Sequence, residues 1–111
     1  MGSADASLPG LDRREYFRAR YFADVEIEYG SSTLRGRTQD ISLGGMLIET
    51  ADLLRVGAEF RARISLGQGT PLAVVCAVRQ VIPNVGMGVE FLDLKPPDHK
   101  RLRQLIDSLP H

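Results

Sequence analysis

The chain has 111 residues, with 14 Lys and Arg balanced by 14 Asp and Glu, so the formal net charge is zero. That length gives room for one domain with one modest core, and the charge balance excludes a general affinity for nucleic acid or acidic membranes. Hydrophobic content of 43% and charged content of 25% are those of an ordinary soluble domain, and the single cysteine excludes an internal disulfide or a multi-cysteine metal site.

Residues 1–11 read as a flexible N-terminal tail, small and polar around Pro9-Gly10. The tail lacks the basic and apolar regions of a secretion signal, and no apolar run is long enough to cross a bilayer. A cytoplasmic location without membrane insertion is therefore expected. Residues 12–109 make up the folded domain, divided into an arm over 12–20, a barrel over 21–94 and a C-terminal helix over 97–109. In the arm, Arg13-Arg14-Glu15-Tyr16-Phe17-Arg18-Ala19-Arg20 sets four guanidinium groups around one carboxylate. Such a run is a solvated charged face or, pinned by its aromatics, an arm with free donors.

Six strands are expected after the arm. Residues 22–29 place Ala23, Val25, Ile27 and Tyr29 on one face, with Asp24, Glu26 and Glu28 on the other. Gly30-Ser31-Ser32 turns the chain into a more polar strand over 33–40, completing a hairpin. Asp40-Ile41-Ser42-Leu43-Gly44-Gly45 is a sharp turn, and its glycines suit backbone geometry denied to other residues. A short strand over 46–50 comes next, then a connection through Leu53, Leu54 and Val56 that ends at Gly57. Residues 58–66 alternate again, Gly67-Gln68-Gly69 marks a hairpin, and 72–82 is a long strand. The Cys76 thiol in its apolar run reads as a small buried hydrophobe. After the Pro83-Asn84 turn, 86–92 is the sixth strand, whose glycines point to a bulge or a close backbone approach.

The helix begins at the prolines. Asp98 would cap it or sit at its positive end. Leu102, Leu105, Ile106 and Leu109 form one apolar stripe, with Arg101, Arg103 and Asp107 facing away. Six short strands with turn signals between them predict an all-β fold, an antiparallel barrel with a terminal helix. Closure removes edge strands that would otherwise aggregate.

Catalysis finds no support in the residues. His99 and His111 lie in or after the helix, away from any nucleophile elbow, triad order or metal-ligand spacing. No enzyme and no metal are expected. Ligand binding is better served. An Arg fork matches phosphate oxygens or the acceptor edge of guanine, and its plane stacks on bases. Asp accepts from guanine's donor edge, and Ser bonds phosphate or base.

At these residues the chain resembles the PilZ domain family, bacterial receptors for cyclic di-GMP, whose signature is R-x-x-x-R followed by [D/N]-x-S-x-x-G. Arg14-Glu15-Tyr16-Phe17-Arg18 matches the first part. Asp40-Ile41-Ser42-Leu43-Gly44-Gly45 matches the second. The resemblance implies a six-stranded barrel flanked by a C-terminal helix, with cyclic di-GMP as ligand and no cofactor. Arg14 and Arg18 would hold phosphate and guanine, Asp40 and Ser42 would bond the guanine edge or a nearby phosphate, and Gly44 and Gly45 complete the turn, Gly45 leaving room for the base. Arg13 matches a position that in the family influences whether one ligand or a stacked pair binds. Arg20 has no counterpart in the motif and reads equally as surface charge.

The implied mechanism is a switch. Without ligand, little anchors the mutually repelling arginines of the arm. A dianionic ligand would draw the arm onto the barrel and create a surface that an effector protein reads. The alternative is a barrel kept as a protein-interaction module without use of the nucleotide. Nucleic acid as partner is disfavoured by zero net charge and few stacking aromatics.

Overall fold

A computed structural model describes residues 18–67 and 69–110. In chain order its elements are β1 (Ala19–Tyr29), β2 (Ser32–Ile41), β3 (Gly45–Glu49), β4 (Glu59–Ile64), β5 (Leu72–Ile82), β6 (Gly86–Phe91) and α1 (Pro96–Ser108). The strands close into an antiparallel barrel in the order β1-β2-β3-β6-β5-β4. Closure comes from β1 pairing with β4 through Val25–Glu28, so neither strand is left as an edge.

Period two decides which side chains enter. In β4, Phe60, Ala62 and Ile64 are buried, while Glu59, Arg61 and Arg63 are exposed. Inward residues of every strand share one core, including Val25, Ile27, Ile48, Leu72, Val78 and Met87. Cys76 is fully buried there, and desolvation pushes its thiol up to about 12. The helix adds Leu102 and Ile106 to the same core, with Leu105 and Leu109 partly buried beside them.

Three details depart from the expected pattern. β1 begins at Ala19 rather than residue 22, because Ala19 is buried and pairs with Ile41. The last residues of the expected arm are therefore strand. Asp98 does not cap the helix: Lys95 is the capping residue, without a side-chain bond, and Asp98 lies in the first turn behind Pro96. There its charge still suits the positive end of the helix. Arg101 does not face freely outward either, since its Nη2 donates to the Thr70 carbonyl at 2.6 Å. It ties the helix to the loop between β4 and β5.

Register places the loops at two poles. The entry to β1, the β2–β3 turn, the β4–β5 loop and the end of β6 share one pole. The β1–β2 hairpin, the β3–β4 loop and the β5–β6 turn share the other. Among the described residues, no helix is long and apolar enough to cross a membrane.

Candidate functional site

The site lies at the pole where β1 begins and β2 ends, and a bulge shapes it. Thr38 is fully buried. Strict alternation along β2 would turn Asp40 inward as well. Instead the register against β3 shifts between Thr38 and Asp40: Thr38 pairs with Ile48, and Asp40 pairs with the adjacent Leu47. Gln39 is the extra residue. One inserted residue re-aims the side chains after it, so Ile41 takes the core position and Asp40 stays half-buried on the outer face. The buried Thr38 hydroxyl donates to the Asp40 carbonyl at 2.9 Å and pins the bulge across Gln39.

Asp40 then meets the arm. Arg18 Nη2 donates to Asp40 Oδ1 in an ion pair, with the two side chains 28% and 33% exposed. This contact joins the second arginine of the first motif to the first residue of the second. At the described end of the arm, Arg18 is tethered by this pair, and Ala19 behind it is buried. Arg13 and Arg14, with the rest of residues 12–17, lie outside the described residues.

Ser42 serves the turn. It is fully buried. Its Oγ accepts from the amides of Gly44 at 3.1 Å and Gly45 at 3.2 Å, and lies 3.3 Å from the Gly45 carbonyl, to which it donates. The Ser42 amide donates to the same carbonyl at 2.9 Å, and the Phe91 amide donates to the Gly44 carbonyl at 2.9 Å. The loop is thus stitched to itself and to β6. The hydroxyl expected to reach a ligand is spent inside the turn, because two amides of a buried loop need an acceptor.

Neither glycine of the turn needs a left-handed backbone. Positive φ among the described glycines occurs at Gly30, Gly57, Gly67 and Gly69. Gly45 is required by proximity instead. It pairs with Glu90, and a Cβ on it would land on the Val89 carbonyl oxygen. The missing side chain makes room for β6. Gly86 shows the same close approach at the other end of that ladder, against the Ile48 carbonyl.

Beyond the motifs, Arg20 lies opposite Asp40 in register. Its guanidinium stands over the Phe22 ring, 5.6 Å from the centroid. Phe22 belongs to neither motif. The sequence still marks it: it is the large apolar residue on the polar parity of β1, out of step with Ala23, Val25 and Ile27. Two carboxylates on that parity, Glu26 and Glu28, are both bonded by Arg63. Among the described residues, no group of His, Cys, Asp and Glu could hold a metal ion.

Comparison with known proteins agrees with this architecture. The model of the PilZ domain family matches residues 12–108. Among solved structures, the PilZ domain of YcgR from Escherichia coli with c-di-GMP superposes with a TM-score of 0.72 at 24% identity, covering 87% of this chain and 91% of that one. The Bacillus subtilis inhibitor of motility MotI/DgrA matches with a TM-score of 0.72 at 27% identity, over 86% of this chain and 49% of its own. YcgR from Escherichia coli in complex with c-di-GMP matches with a TM-score of 0.73 at 27% identity, over 87% and 46%. This chain thus spans about half the length of those last two proteins. A search of curated proteins found no match.

Proposed function

Because this chain belongs to the PilZ domain family, we propose that it is a receptor for cyclic di-GMP, gripping the nucleotide between its arginine arm and the Asp40–Gly45 turn. The observation that carries this reading is the Arg18–Asp40 pair, which brings the two motifs to one pole of the barrel. In this reading Arg14 and Arg18 bind phosphate and the acceptor edge of guanine, and Asp40 takes the donor edge. Ser42, Gly44 and Gly45 act by holding the turn flat and tight. Arg13 bears on how many ligand molecules stack there.

Energetics favour a switch at Arg18. An ion pair whose side chains are each about a third open to water contributes roughly 1 kcal/mol or less. A charge-assisted contact to phosphate contributes about 1.5–3 kcal/mol. The nucleotide can therefore take Arg18 away from Asp40 and leave the carboxylate free for a guanine edge. Redirecting Arg18 carries the arm with it, and the reordered arm is the surface offered to an effector protein. The role is binding, with no chemical step.

Calorimetric titration of cyclic di-GMP tests this. Wild type binds, and Arg18→Ala and Asp40→Ala each weaken binding about ten- to a hundredfold. If Asp40 acted only as a lock on Arg18, Asp40→Ala would instead tighten binding. Absence of binding by wild type, or unchanged affinity in both variants, would overturn the proposal.

A further inference from the structure

The strand that leaves the arm continues the site. Arg18 precedes β1, and Arg20 and Phe22 lie beyond it at alternate positions on the exposed parity of the strand. Arg20 lies directly across from Asp40, and its guanidinium covers the Phe22 ring at 5.6 Å. Phe22 is 55% exposed, whereas Phe60 and Phe91 are buried in the core. Its ring lies outside the core, since β1 packs inward through Ala19, Val25 and Ile27. Leaving a phenyl group in water forgoes the gain of burying it. Aromatic rings and guanidinium planes are the surfaces on which nucleobases stack.

We propose that Arg20 and Phe22 form a base-stacking platform, a second subsite taking the face of the guanine that the Asp40 turn does not hold. This rests on the receptor reading. It adds a site outside both sequence motifs, one that reads the flat face of a purine where Arg18 and Asp40 read edges and phosphate. Phe22 supplies apolar area and Arg20 holds the ring in place and adds its own plane. Stacking tolerates any base, so the platform raises affinity more than it selects guanine.

The test titrates cyclic di-GMP into wild type, Phe22→Ala, Phe22→Trp and Arg20→Ala. It then repeats the series with a cyclic dinucleotide carrying 2-aminopurine in place of one guanine, whose fluorescence is quenched by stacking. Phe22→Ala should bind about five- to a hundredfold more weakly and lose the quenching. Phe22→Trp should retain both, and Arg20→Ala should lose part of each. Unfolding temperatures should stay at the wild-type value, because both side chains face outward. Wild-type affinity and quenching in Phe22→Ala would overturn the platform and leave the receptor reading intact. Failure of wild type to bind cyclic di-GMP would overturn both.

Discussion

Substituting Gly45 by alanine separates two accounts of that glycine. An added Cβ would overlap the Val89 carbonyl oxygen and lie 3.1 Å from the Val89 carbonyl carbon and 3.2 Å from Glu90 Cα. All three are backbone atoms of β6, so no rotamer change relieves the contact. The ladder between β3 and β6 must open, and β3 is only five residues long. The bonds of the Ser42 hydroxyl and the Phe91 amide to the turn would be strained with it. Overpacking against rigid surroundings costs roughly 1–3 kcal/mol, occasionally more, and backbone against backbone belongs at the upper end. A loss of about 3 kcal/mol lowers the unfolding temperature of a domain this size by roughly 12–24 °C. Thermal unfolding of Gly45→Ala followed by circular dichroism reads this directly. A variant that melts with wild type yet fails to bind cyclic di-GMP would show that the glycine serves the ligand and not the ladder.

Other substitutions test the turn and the core. Ser42→Ala leaves the amides of Gly44 and Gly45 without their acceptor, so stability should fall by about 1–3 kcal/mol in chemical denaturation. Thr38→Val keeps the shape but removes the bond to the Asp40 carbonyl. It should cost about 0.5–1.5 kcal/mol and weaken ligand binding by loosening the bulge. Leu102→Ala empties a fully buried position beneath the helix, at a cost of about 2–5 kcal/mol. Cys76 gives a pH signature: burial raises its thiol from 9.0 to about 12. The unfolded thiol ionises first, so its contribution is whole below pH 9 and is lost as pH rises toward 12. Alkaline unfolding should therefore shift to higher pH in Cys76→Ala relative to its own neutral-pH stability, and the native thiol should resist labelling.

The barrel was legible because its strands obey a simple rule. β4 alternates without exception, and the helix stripe of Leu102, Leu105, Ile106 and Leu109 is as regular. Legibility failed where one residue breaks the count. Nothing in Thr33 to Asp40 marks Gln39 as inserted, since the insertion is defined by β3 across the ladder. The start of β1 was misplaced for a related reason: Ala19 is small, and only its pairing with Ile41 shows it to be core. At the candidate site, the motif residues carry structural duties that their types alone do not reveal. A serine's hydroxyl can serve a loop or a ligand, and a glycine's missing side chain can make room for either. Sequence names the residue type, while the neighbour across the sheet decides which use it has. Arg18 and Asp40 come from motifs far apart in the chain, and the structure shows that they hold each other.

In the receptor reading, the nucleotide sits at the pole where Arg18 meets the turn. Amide chemical shifts of labelled protein, recorded while cyclic di-GMP is added, test it most directly. Shifts should concentrate at Arg18 to Phe22 and Asp40 to Gly45, leaving Thr50 to Leu53 and Asn84 to Val85 at the opposite pole in place. Perturbation centred on that opposite pole, or none at saturating ligand, would contradict it.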